Sequence, residues 1–233
     1  MPDGIGFKEG LRKEKEKLAQ MDARHKWDYY CTYYLKGTVI GIIVLICVIS
    51  FIRSYIKNGR EVLMEGYMLN VKGSEELYTL MEDGYFEHRE GDEKKQQVYL
   101  TKEQTMNLDE DGTLQDTTSY YLEQAIVAEV TGQELDYMFT DRLSFQRLCQ
   151  MSAFMDLREI LTEDQLTDWA DCLVYYTDED GNTAPVALDL TDSDFAAEYE
   201  MVSNDGKIYF EILVNSERTE WIQDFLEFTG IAP

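Results

Sequence analysis

Two acidic stretches carry the spacing of oxygen ligands for a hard cation. Asn107, Asp109, Asp111 and Gly112 match the first half of a twelve-residue calcium loop, in which alternate side chains face the ion and a glycine makes the sharp turn. The twelfth position is Thr118, where such a loop needs a bidentate glutamate. Asp178, Asp180, Asn182 and Asp189 repeat the alternate spacing but lack the glycine. Turns built from Asp, Asn and Gly account for both stretches, because these side chains bond their own backbone. No metal site and no cofactor is expected. Histidine is present only as His25 and His88, too few for a histidine-based zinc site or a nucleophilic triad. The phosphate-cradling, dinucleotide and nucleophile-elbow glycine patterns are missing from the sequence, as is the paired-histidine zinc motif. Carboxylates are so abundant that no pair of them stands out as an acid and base, so no catalytic residue is assigned and no enzymatic activity is expected.

The charge that makes carboxylates uninformative also organises the chain. The 233 residues carry 21 Lys and Arg against 46 Asp and Glu, a net charge of −25. That balance excludes nucleic acid as a partner, since phosphate neutralisation needs cations. Residues 1–60 hold 11 Lys and Arg against 6 acids, whereas residues 61–233 hold 10 against 40. Between these regions runs GTVIGIIVLICVISFI, residues 37–52, without a charge and bracketed by Lys36 and Arg53. Sixteen helical residues span roughly 24 Å, and Leu35, Tyr55 and Ile56 extend them toward the roughly 30 Å of a bilayer's hydrocarbon core. Trp27, Tyr29, Tyr30, Tyr33 and Tyr34 form an aromatic belt on one side, and Tyr55 marks the other. The long leading segment and the absence of a small-residue cleavage site argue against a removed signal peptide. Residues 35–56 therefore read as a single transmembrane helix. Lys and Arg are denser before it than after it, which places residues 1–34 in the cytosol as a juxtamembrane helix and residues 57–233 outside as an acidic domain. The expected localisation is the cell membrane, with the lipid bilayer as one partner. In the outer part Cys149 and Cys172 could bridge, and two free thiols suit their positions equally.

The outer part alternates strands and helices. Residues 62–71 read as a first strand. Ser74 caps a helix bearing Leu77, Leu80 and Met81 that stops at Gly84. Residues 97–101 form a short strand, and 118–131 a helix with Leu122, Ala125, Ile126 and Val130 on one side and Gly132 at its end. Residues 135–139 form a buried strand, after which Ser144 starts a helix. Residues 155–161 make a further helical turn or two, and residues 162–165 are a capping box. Residues 173–176 and 185–190 flank an Asp-rich turn as a hairpin. Asn204, Asp205 and Gly206 signal a second hairpin between residues 199–203 and 207–214. Ser216 begins a last helix closed by Gly230. Strands alternating with helices predict an α/β fold with a partly parallel sheet, and the late hairpins predict antiparallel edges.

The stretch YYLEQAIVAEVTGQELDYMFTD at 120–141 resembles a recurring piece of extracellular solute-binding proteins of the type II periplasmic-binding fold. In those proteins a helix ends in glycine and a short apolar strand ending in Asp follows. Phe145 and SAFMDL at 152–157 resemble the continuation, with Ser152 where that family usually has glycine. The layout is also similar to membrane-anchored proteins of Gram-positive, Clostridia-type bacteria. They carry a Lys-Leu, Met, Lys-Trp and Tyr-Tyr pattern before one membrane helix, here Lys17, Leu18, Met21, Lys26, Trp27, Tyr29 and Tyr30. The resemblance implies one lobe of a two-lobed binding protein, because about 170 residues make about one lobe. A single α/β lobe binds ligands at the carboxyl ends of its strands. The candidates there are Asn70, after the first strand, and Thr140, Asp141 and Arg142, after the strand at 135–139. Without a second lobe to clamp a solute, the expected function is a non-enzymatic interaction or ligand-sensing module with a protein partner in the membrane. The alternative is a surface protein that captures a small solute or peptide.

Overall fold

The chain divides into two compact units, Met1–Gly59 and Arg60–Pro233. The computed structural model describes residues 60–231, together with Arg12, Glu16 and Asp22. Arg12 and Glu16 stand one helical turn apart as an exposed ion pair, Nε to Oε1 3.7 Å. The expected transmembrane helix at 35–56 and most of the expected juxtamembrane helix lie outside the described residues. Among the described residues no helix is long and apolar enough to cross a membrane.

The second unit is built on strands that are apolar on both faces. In chain order it runs β1 (Glu61–Leu69), β2 (Val71–Lys72), α1 (Glu75–Thr79), a π-helical turn (Leu80–Gly84), α2 (Tyr85–His88), β3 (Gln96–Gln104) and α3 (Thr117–Thr131). Then come β4 (Tyr137–Thr140), α4 (Arg142–Cys149), a 3-10 turn (Leu157–Glu159), α5 (Glu163–Asp168), β5 (Leu173–Thr177), β6 (Thr183–Asp189), α6 (Asp194–Glu198), β7 (Val202–Ser203), β8 (Tyr209–Ile212) and α7 (Thr219–Thr229). Six strands form one sheet in the order β3-β1-β4-β8-β6-β5. β1 runs parallel to β3 and β4, whereas β8 is antiparallel to β4 and β6, and β5 is antiparallel to β6. The fold is thus α/β with a mixed sheet, parallel in one half and antiparallel in the other.

Period-two alternation divides the core into two layers. Tyr137 and Phe139 of β4, with Phe210 and Ile212 of β8, face a layer that includes Leu77, Met81, Tyr85, Ile222, Phe225 and Leu226. Met138 of β4 and Tyr209 of β8 face the opposite layer, against Ile126, Val130, Phe145 and Leu148. Both faces are therefore covered by helices, which explains why β4 is buried at every residue. Gly66 of β1 lies under the ring of Tyr137, and a Cβ there would overlap that ring. This close approach requires glycine at position 66.

Local chemistry sets the helix starts. Asp116 accepts from Ser119 N at 2.8 Å, Asp141 from Ser144 N at 2.9 Å and Ser193 from Ala196 N at 3.0 Å. Thr162 and Gln165 complete the expected capping box, and Gly230 closes α7 with a left-handed φ of 68°. Four expectations need correction. Gly84 does not stop the first helix; it has helical angles, φ −62° and ψ −47°, and the chain passes through a π turn into α2. Ser144 does not start α4, because Asp141 three residues earlier caps it. Ser216 does not cap the last helix; Arg218 stands at the N-cap, and the Ser216 hydroxyl donates to Asp136 at 2.6 Å while accepting from Arg218 N at 3.1 Å. The turn at Asn204 and Asp205 exists and Gly206 has φ 78°, but no second hairpin follows. β7 pairs with β2, while β8 enters the main sheet between β4 and β6, since its apolar residues on both faces need two covered sides. The first hairpin forms as expected, with β5 and β6 paired across the turn at 178–182.

One ion pair ties the start of β4 to α7. Asp136 is fully buried, and Arg218 donates from Nη1 to its Oδ2 at 2.8 Å and to its Oδ1 at 2.9 Å. The backbone N–H of Glu65 donates to Asp136 Oδ2 at 2.7 Å, and Arg218 also donates from Nε to Val62 O at 2.9 Å. The clasp joins β1, the start of β4 and α7. Removing one partner would leave the other charge buried and uncompensated. Arg218→Ala is therefore expected to destabilise the protein by about 3 kcal/mol, read as the change in urea unfolding of the full chain. A loss below about 1 kcal/mol, the range of exposed surface pairs, would show that the pair contributes no more than surface pairs do.

Candidate functional site

Sequence reasoning placed the candidate binding residues at the carboxyl ends of β1 and β4, and the structure brings them together there. The chain goes from β1 outward to β3 and then back across to β4 on the other side of β1. This reversal is the topological switch point, where open α/β sheets hold their ligands in a crevice. Here side chains of the chain itself occupy that crevice. Asn70 follows β1 in the left-handed region, φ 58°, a conformation Asn tolerates better than most residues. Its amide donates from Nδ2 to Met106 O at 2.8 Å, Ser144 Oγ at 3.0 Å and Asp141 Oδ2 at 3.1 Å, and Oδ1 accepts from Met106 N at 2.9 Å. Asp141 caps α4, so the helix end that could receive an anion already holds a carboxylate of its own chain. Burial pushes the Asp141 carboxyl up, and the hydrogen bonds from Ser144 and Asn70 partly offset that rise.

Thr140 is fully buried and donates from Oγ1 to Glu211 Oε1 at 2.5 Å. Glu211 lies on β8 in the middle of the sheet, also fully buried, and its Oε2 has no partner. Burial drives its carboxyl well above the ordinary range, and the nearby Asp141 charge pushes it further. Burial in that position favours the neutral acid over the carboxylate. Arg142 stands apart from this network. Its side chain is half exposed and its Nε lies 3.6 Å from Asp205 Oδ2. Of the four predicted residues, Asn70 and Asp141 are therefore turned inward into one hydrogen-bonded cluster, Thr140 is turned inward to a separate bond with Glu211, and Arg142 faces out. Sequence reasoning missed Glu211. Its position in a run of apolar residues was the available signal.

The acidic turns use their carboxylates locally. Asp109 Oδ1 accepts from Asp111 N at 3.0 Å and Thr113 N at 2.9 Å, and Oδ2 accepts from Gln115 Nε2 at 2.9 Å. Asp178 accepts from Asn182 N at 2.8 Å and from Asn182 Nδ2 at 3.0 Å. Among the described residues, no group of three or more His, Cys, Asp or Glu could hold a metal ion. Cys149 and Cys172 are both free thiols, and burial raises both. His88 stacks on Phe228 with ring centroids 4.5 Å apart and bonds Asp224 at 2.9 Å.

The most distinctive surface lies on α3. Its buried side is Ser119, Glu123, Ile126 and Val130. The expected stripe shifts accordingly, with Ala125 exposed and Leu122 only half buried. Glu123 is turned inward to Arg147 of α4, Nε to Oε1 2.6 Å, and Glu129 is half buried. Every fully exposed residue of α3 is consequently uncharged. Tyr121 is 67% exposed, Tyr120 51% and Val127 38%. Beside this face is a hollow of about 370 Å³, whose lining, including Val127, Val130, Leu148, Met151 and Val214, contains no ionisable side chain. No protein-family model, curated protein or solved structure matches the chain.

The neutral interior acid sets a pH dependence. The folded pKa of Glu211 lies above the unfolded value, so its contribution is fully present below about pH 4.5 and is lost as pH rises toward the folded pKa. The slope over that window is about 1.4 kcal/mol per pH unit. Glu211→Gln keeps an acceptor for Thr140 and removes the titration. The stability of the variant relative to the native chain is expected to rise with pH above about 4.5, by at most about 1.4 kcal/mol per pH unit, until the folded pKa is passed, measured by urea unfolding at several pH values. A difference that does not change with pH would disprove the neutral-acid assignment.

Proposed function

We propose that the protein is a single-pass membrane protein whose acidic outer domain is a non-enzymatic interaction module, docking a protein partner within a membrane assembly. The apolar run at 37–52 and the denser cations on its N-side support the anchor and its orientation, with residues 57–233 outside. The observation that carries the docking role is the uncharged exposed face of α3 and its neighbouring hollow, in a region holding 40 Asp and Glu against 10 Lys and Arg. A patch of exposed aromatic and aliphatic groups marks a contact surface more often than it marks nothing. The likeness to one lobe of a type II binding protein agrees with this reading, because one lobe offers a surface but no clamp. Capture of a small solute or peptide is the weaker reading. It needs open polar groups at the strand ends, and Asn70, Thr140 and Asp141 are already bonded to their own chain.

Affinity purification of the tagged full chain from mild detergent is expected to recover a membrane protein in near-stoichiometric amount. Protease added to intact cells is expected to degrade residues 57–233. A chain that purifies alone, and that a compound from a metabolite panel stabilises against heat by several degrees, would favour capture over docking. Protection of the acidic domain in intact cells would overturn the orientation.

A further inference from the structure

Resting on the interaction-module reading, we infer that the outer face of α3 and the adjoining hollow form the docking surface. The occupant is an amphipathic helix of a partner protein, with a bulky apolar side chain at its centre and Lys or Arg along its flanks. α3 has fifteen residues, which as a helix present a face about 22 Å long. An amphipathic helix laid along such a face reads it through anchors three and four residues apart. Tyr121 and Val127 lie on the exposed side, and the 370 Å³ hollow beside Val127, lined also by Met151 and Val214, has room for one large side chain.

Charge decides what surrounds the anchor. Nine of the ten cations in residues 61–233 are already paired with carboxylates of the same chain. About thirty acids are left without a cationic partner, and the neutral face is bounded along the chain by some of them. Asp116 precedes α3, Glu134 follows it, and Glu217 lies two residues past Asn215 at the rim of the hollow. A partner with apolar residues inside and cations outside matches both parts of this surface. A second copy of this chain does not, since two such strongly acidic domains repel and each has only Lys94 outside the ion pairs of residues 61–233. An anionic lipid surface repels the domain for the same reason.

The test uses the full chain in its own membrane. A photo-crosslinking phenylalanine analogue is placed at Tyr121, at Val127 or, as the control, at Tyr175, which is exposed on edge strand β5. Adducts are expected from positions 121 and 127 at least tenfold above those from 175. The crosslinked partner peptide, mapped by mass spectrometry, should pair apolar residues at helical spacing with Lys or Arg. Val127→Glu should lower partner recovery at least tenfold, with circular dichroism and the unfolding midpoint unchanged, and Val127→Ile should retain it. Recovery should also fall as salt is raised from 50 to 500 mM. Adducts only to a second copy or only to lipid would overturn the proposal, as would a mapped segment without cations. Unchanged recovery with Val127→Glu, or adducts mainly from 175, would remove α3 as the docking face while leaving the interaction-module reading intact. No adduct from any position together with no co-purified protein would defeat both.

Discussion

The need of polar groups on the central strands to find partners within the chain shapes the rest of the structure, and of their buried side-chain atoms Tyr137 Oη and Glu211 Oε2 go without one. The sheet is covered on both faces, so no water is available to a group on β4 or β8. Thr140 meets Glu211 across neighbouring strands. Asp136 meets Arg218, Ser216 and the backbone of Glu65. Asn70 meets Asp141, Ser144 and Met106. The partners within these clusters lie 36 to 82 residues apart in sequence. The clusters therefore fix which strand lies beside which, something apolar burial alone specifies loosely. Glu211 Oε2 is left without a partner, and a protonated carboxyl tolerates that far better than a carboxylate would.

The same requirement accounts for the closed strand ends. Parallel strands leave backbone and side-chain polar groups converging at their carboxyl ends, and in a binding protein a ligand completes them. Here the left-handed turn at Asn70 aims its amide into the crevice, and the capping aspartate of α4 meets it there. At the switch point the Asn70 amide, the Thr140 hydroxyl and the Asp141 carboxylate are each engaged by the chain itself. Polar side chains at the strand ends are thus spent on the packing of the domain.

Much of the fold was legible in the sequence, because it depends on short-range signals. The apolar runs, the capping box at Thr162, the Asp-rich turn at 178–182 and the glycine at 230 each act within a few residues. Where reading failed, a distant partner had outcompeted a local signal. Ser216 looks like a helix cap, yet it stands in the turn before the helix, where its hydroxyl donates to Asp136, 80 residues earlier, and accepts from Arg218 N. The turn at Asn204 through Gly206 looks like a hairpin because the turn is real. The pairing of β8 was decided by its need for cover on both sides, which nothing in the turn encodes. The candidate residues at the strand ends were placed correctly because strand ends follow from apolar runs. That they bond one another was not readable, since it depends on β1, β4 and α4 meeting. The face of α3 was misjudged because Glu123 reads as a surface acid, and only the position of Arg147 on α4 turns it inward.

That inward turn links the interior to the exterior. A buried Glu–Arg pair is weak support for stability, because desolvation of both charges offsets most of their attraction. An apolar pair of similar volume would serve the core of α3 and α4 as well. What the pair accomplishes is a distribution of charge. It takes the Glu123 carboxylate out of solvent and draws the partly exposed Arg147 onto it, and the half-buried Glu129 is then the one acid of α3 that reaches solvent on a strongly acidic domain. The surrounding acids, with nearly every cation already paired, keep the domain soluble and hold like-charged neighbours away. The gap in that field on α3 is a region where contact does not require stripping water from carboxylates, so apolar contact there keeps more of its gain. On the docking role proposed above, specificity of approach and ease of desolvation would arise from one arrangement, in which acids exclude similar surfaces and the neutral helix face admits a complementary one.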